Sequence, residues 1–106
     1  MNNQRRKDLK KVIADLEQWK DDASDLVSRI EDIKSEIEAI KDEEEEAYDN
    51  LPETFQEGER GEKMQSAVES MESAVDSVDE VVCHLEVLAG NSVDDIVENL
   101  KEAIEA

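Results

Sequence analysis

From Leu9 to Ala47 the apolar residues step by three and four in alternation: Leu9, Val12, Leu16, Trp19, Ala23, Leu26, Ile30, Ile33, Ile37 and Ile40, then Glu44 and Ala47. A mean step of about 3.5 residues keeps a column of side chains on one side of an α-helix, and no strand has that period. The spacing predicts one helix over residues 4–48. The pattern stops after Tyr48, where Asn50, Pro52, Gly58 and Gly61 supply turn chemistry. A loop is expected over 49–61. Inside it, Pro52 is suited to start a single helical turn, and Gly58 to end it. Leu51 and Phe55, four apart, are expected to plug the end of the apolar seam.

A second series follows: Met64, Val68, Met71, Val75, Val78, Val82, Leu85 and Ala89, again stepping by four and three. This predicts a helix over 62–89. Gly90-Asn91 reads as its C-cap. Ser92 with Asp95 three residues later resembles a capping box, and Val93, Ile96, Val97, Leu100 and Ile104 give a last short helix over 93–105.

The long first helix and the two later ones are of nearly equal length, so they match end to end if the chain folds back at the loop. Charge supports the antiparallel arrangement. Lys20, Lys34 and Lys41 form one flanking column, and Glu72, Asp79 and Glu86 another. Lys34 with Asp79 and Lys41 with Glu72 share one register, since both number pairs sum to 113. The expected fold is therefore all-α: a single domain over 1–106, an antiparallel coiled-coil helical hairpin with a short third C-terminal helix. Ala67, Ala74, Val81 and Leu88 widen the apolar face of the second helix beyond what a two-stranded seam needs, and Ile13 and Val27 do the same on the first. Either the last helix folds back over them, or a second copy covers them, or the alanine-lined groove stays partly exposed. A dimer forming a helical bundle is the preferred expectation, with these six residues as its interface.

Composition bounds the rest. Only Trp19, Tyr48 and Phe55 are aromatic, so a narrow aliphatic seam replaces a thick core. Charged residues are 41% of the chain, with 31 acids against 12 bases and a net charge of −19. Such a chain repels nucleic acid and anionic membranes and attracts basic surfaces. The single cysteine, Cys83, excludes an internal disulfide and fits a reducing compartment. No apolar run is long enough to span a membrane, and the basic start leads into an amphipathic pattern without a signal-peptide apolar region. A cytoplasmic location follows as the default.

Catalytic constellations are missing. His84 and Cys83 are neighbours, and adjacent helical residues point about 100° apart, so they do not form a dyad. The chain has no Gly-rich phosphate loop, HExxH or paired cysteines. The acidic run Asp42–Glu46 lacks the alternating ligands and central glycine of a calcium loop. It opposes the dipole at a helix C-terminus, a charge tolerated for solubility or used for binding. A non-enzymatic protein without cofactor or metal is expected.

Two charge features remain. Residues 1–11 hold Arg5, Arg6, Lys7, Lys10 and Lys11 against one acid. Direct nucleic-acid binding through them is disfavoured by the acidic remainder, and pairing with Glu98, Glu102 and Glu105, or setting the register of a dimer, is the expected role. From Met64 to Leu100 there is no lysine or arginine, against nine acids. Carboxylates at heptad spacing can imitate phosphate rows, which marks Glu69, Glu72, Asp76, Asp79, Glu80 and Glu86 as the candidate partner-binding set.

The stretch Ala47-Tyr48-Asp49-Asn50-Leu51-Pro52-Glu53, with Gln56 and Glu59-Arg60-Gly61-Glu62-Lys63-Met64, resembles a family of small acidic proteins encoded by bacteriophages and prophages of Gram-positive bacteria, most without an assigned function. The start, Met1 to Lys7, is similar too, and the likeness extends to about residue 89 without the last helix. In the loop, Leu51, Pro52, Glu53, Phe55 and Arg60 are the candidate site residues. The resemblance implies a phage accessory protein in the host cytoplasm, where blocking host defence, in the manner of anti-CRISPR or anti-restriction proteins, is a common task.

The leading expectation is a dimeric, acidic binding protein that takes a basic surface on a host protein. One rival is a structural or scaffolding coiled coil whose acids only keep it in solution. Another is a small regulator that binds DNA through Arg5, Arg6 and Lys7.

Overall fold

The structure, a computed structural model, describes residues 1–106, and every regular element is helical. The order is α1 (Asn3–Asp49), α2 (Glu53–Gln56), α3 (Glu59–Val87), a π-helical turn (Leu88–Ser92) and α4 (Val93–Glu105). The chain divides into two compact units, Met1–Arg29 with Val82–Ala106, and Ile30–Val81. No helix is long and apolar enough to cross a membrane.

α1 starts on Asn2, whose side-chain oxygen accepts the Arg5 N–H at 2.8 Å and satisfies a donor that the first turn leaves free. Apart from Arg6, Glu38 and Glu45, the less exposed positions along α1 are Leu9, Ile13, Leu16, Lys20, Ala23, Val27, Ile30, Lys34, Ile37, Lys41, Glu44 and Tyr48. This corrects the expected seam. One of its two columns is kept, but the other is Ile13, Lys20, Val27, Lys34, Lys41 and Tyr48. Val12, Trp19, Leu26, Ile33 and Ile40 are instead 43–56% exposed. The helix is rotated by about 50°, half of one residue's 100° step. The reason is chemical: the rotation lets the lysine stems lie over the seam while their ammonium groups reach acids across it.

In the Ile30–Val81 unit, α1 pairs with α3 through Met64, Val68, Met71, Val75 and Val78, all partly buried as the spacing predicts. Lys34 contacts Asp79 at 2.7 Å and Lys41 approaches Glu72 at 3.9 Å, the register expected from sequence. At the turn, Pro52 caps α2, with its carbonyl accepting from Phe55 and Gln56. Gln56 Nε2 donates to the Tyr48 carbonyl at 2.9 Å, which satisfies a group that the end of α1 leaves open. Leu51 is half-buried. Phe55 does not plug the seam, being 53% exposed. Buried Gly61, in the first turn of α3, takes the closing position against α2.

In the unit of the two termini, Ile13, Val93 and Val97 form a buried cluster, with Leu16, Leu100 and Ile104 packed on it. Ile13 therefore lies inside the chain's own seam at 8% exposure, and Val27 is half-buried beside it, so neither belongs to a free oligomer face. The last helix neither caps off nor folds back. Gly90 has no positive φ. Ser92 holds φ −68 and ψ −44 without a side-chain cap bond, so no capping box forms.

The π turn explains how α4 presents its apolar side. Continuing the steps of Val82, Leu85 and Ala89 in α-helical phase would place Ser92, Ile96, Asn99 and Ala103 on the seam. A π turn accommodates one additional residue. One position further on are Val93, Val97, Leu100 and Ile104, the set that is packed. The flanking acid shifts likewise, and Lys20 pairs with Asp94.

Candidate functional site

α3 carries its acids in adjoining columns. At about 100° per residue, the Glu72–Asp79 column flanks the seam, Glu62, Glu69 and Asp76 come next, and Glu80 lies beyond. All of these side chains are exposed, and no charged residue of the chain is buried. The two columns differ in their neighbours. Asp79 accepts a hydrogen bond from Lys34 Nζ, and this bond, opposed by partial desolvation, holds the Lys34 ammonium above its ordinary pKa. Glu72 has the looser Lys41 contact. Glu69, Asp76 and Glu80 make no ion pair at all.

Near the loop, α1 adds to this surface. A shallow groove is lined by Glu45, Tyr48 and Asp49 from α1 and by Gln65, Val68, Glu69 and Glu72 from α3. Four carboxylates meet there with one phenol and no base among them. Sequence reasoning missed Glu45 and Asp49 as members of the site. The one signal, for Glu45 alone, was the acidic run Asp42–Glu46, whose charge opposes the dipole at the end of the first helix.

Glu86 belongs to the other unit. It is exposed, makes no ion pair and lines a small groove with Lys20, Ala23, Ser24, Val27, Leu85, Ala89 and Gly90. Of the loop residues, Glu53 and Arg60 are exposed and Leu51 and Pro52 shape the turn. Of the interface candidates, Ala67, Ala74, Val81 and Leu88 are exposed.

The basic cluster does not pair with Glu98, Glu102 or Glu105. Arg6 Nε instead donates to the Ile104 carbonyl at 3.1 Å, a cation serving the C-terminal end of α4. Arg5, Lys7, Lys10 and Lys11 are exposed. Cys83 and His84 are exposed neighbours on α3, and no trio of histidine, cysteine and acidic groups is arranged to hold a metal ion.

These features define a class: an all-helical protein of paired helices with carboxylates outward and aliphatic groups between them. Comparison with family models, with curated proteins and with solved structures gives no match.

Proposed function

We propose that this chain is a non-enzymatic, acidic binding protein, dimeric in its working form, that takes a basic surface on a nucleic-acid-handling or defence protein of a host cell. One observation carries the reading: Glu69, Asp76 and Glu80 present an unpaired carboxylate surface on α3, in a stretch without lysine or arginine from Met64 to Leu100. A surface kept only in solution by charge has no need to exclude counter-bases over that length. Carboxylates fixed on one rigid helix are positioned to meet lysines and arginines that otherwise hold phosphates, so the surface acts as a nucleic-acid mimic. The resemblance of residues 47–64 to phage-encoded acidic proteins supports a phage accessory role in the host cytoplasm, as an inhibitor of the protein it binds.

Long-range attraction speeds such association and weakens with salt. Capture from a host lysate tests it. The bound protein is expected to elute by about 0.5 M salt, where screening reaches within a few ångströms, and to be displaced by competing duplex DNA. Capture that persists in both conditions overturns charge recognition.

A second reading has its own observation. Val12, Trp19, Leu26, Ile33 and Ile40 are large apolar groups about half exposed along α1, and a scaffolding role would dock partners there. It predicts salt-resistant capture. DNA binding through Arg5, Arg6 and Lys7 is tested by a mobility shift with duplex DNA, and a positive shift argues against mimicry.

A further inference from the structure

The seam has two edges. One carries the Lys34–Asp79 and Lys41–Glu72 contacts. The other, by the helical wheel, carries apolar columns from both helices. In the Ile30–Val81 unit these are Ile33 and Ile40 of α1, 50% and 56% exposed, beside Ala67, Ala74 and Val81 of α3, with Val81 at 41%. In the unit of the termini, Val12, Trp19 and Leu26 stand with Leu88 and Ile96, all 43–49% exposed. Ile96 holds that place because the π turn shifts its column by one residue, so the column keeps its apolar character across the turn. In each unit, one strip of a helix pair is thus apolar and uncovered.

We infer that a second copy of this chain covers the strip of the Ile30–Val81 unit, related by a two-fold axis parallel to the helix pair of that unit, with α1 of each copy lying on α3 of the other. The inference rests on the two-copy reading above but not on which partner the acids take. Size and charge select the arrangement. A rotation about that axis keeps every residue at its own height. The internal register, in which numbers sum to 113, then carries over between copies. Ile40 of one copy then lies within one residue of the height of Ala74 of the other, and Ile33 within one residue of Val81, a large side chain against a smaller one in each case. In this unit the outer flank of the α1 strip is acidic, with Glu36 and Glu43, while that of the α3 strip is Lys63, Ser70 and Ser77, without an acid. Placing α1 on α3 sets each carboxylate opposite a serine hydroxyl. Placing α1 on α1 sets carboxylates against carboxylates in a chain of net charge −19.

Native mass by light scattering over a dilution series, with helix content by circular dichroism, tests the association. Wild type is expected at twice the chain mass. Ile33→Glu/Ile40→Glu is expected at the single-chain mass with unchanged helix content, because both side chains are exposed within the chain. The arrangement is read by oxidation of Cys83→Ser chains that carry Glu43→Cys, Ser70→Cys or both. Only the doubly substituted chain is expected to give a covalent dimer on a non-reducing gel. A wild-type mass of one chain, or of more than two, overturns the inference. So does a covalent dimer from Glu43→Cys alone, which would place α1 on α1. These readouts are independent of salt-sensitive capture, so failure here and failure of the charge reading are distinguishable.

Discussion

Gly61 sits so close to Gln56 that a Cβ at residue 61 would lie 2.1 Å from the Gln56 carbonyl oxygen and 2.6 Å from its carbonyl carbon. Both atoms are backbone, so neither can swing aside. Gly61→Ala must therefore displace α2 from the start of α3. A loss of about 1–3 kcal/mol is expected from such overpacking. Gln56→Ala removes only the bond to the Tyr48 carbonyl, and about 0.5–1.5 kcal/mol is expected for it. Urea melts of both variants check the order.

The π turn makes a sharper prediction. Deleting Asn91 removes the extra residue and brings Val93, Val97, Leu100 and Ile104 onto the seam in plain α-helical phase. The variant is expected to fold with wild-type helix content and equal or higher melting temperature. Inserting one alanine beside Asn91 moves all four off the seam, and the melting temperature falls. Gly90 adds a control. No atom lies within 4 Å of a Cβ placed there, so Gly90→Ala is expected to stabilise by about 0.5–1 kcal/mol through helix propensity.

Ile13 and Ile33 separate the inner seam from the outer strip. Ile13 is 8% exposed and Ile33 is 50% exposed. Ile13→Ala is expected to cost about 2–5 kcal/mol of folding stability. Ile33→Ala is expected to stay within about 0.5 kcal/mol under conditions where the chain is monomeric, as exposed substitutions do. Chemical denaturation at low protein concentration distinguishes them.

The Lys34–Asp79 bond gives a pH signature. Its effect on Lys34 is to raise the folded-state pKa. The stabilisation is thus fully present below the unfolded lysine value of about 10.4 and is lost as pH rises through the higher folded value. Wild type is expected to melt above Lys34→Gln at neutral pH, with the gap closing at alkaline pH. A gap that stays constant there would assign the effect to packing of the lysine stem.

Much of this fold is legible from spacing alone. The α3 seam, from Met64 to Ala89, and the pairing of Lys34 and Lys41 follow from heptad steps and opposite charge. The rotation of α1 does not. Its apolar residues occupy three neighbouring columns at Leu9, Val12 and Ile13, and spacing does not choose which two turn inward. The lysines at 20, 34 and 41 decide, because their acids lie on one side only. The π turn escaped for a related reason: Gly90-Asn91-Ser92 has cap chemistry, yet the phase of Val93, Val97, Leu100 and Ile104 already differed by one from the preceding series. In the site, the α3 acids were readable as columns. The meeting of Glu45 and Asp49 with Glu69 and Glu72 follows the expected return of the chain, but the Gln56 bond to Tyr48 and the approach of Gly61 to Gln56 that fix the turn are not encoded in spacing.

The central claim is that the unpaired acids of α3 make the contact with a cationic partner. Titration of the captured partner with wild type and with Glu69→Gln/Asp76→Asn/Glu80→Gln tests it most directly, since these exposed substitutions leave the seam intact. The expected result is at least a tenfold loss of affinity, about 1.4 kcal/mol, with a shallower dependence on salt. Equal affinity and an unchanged salt slope would contradict the account.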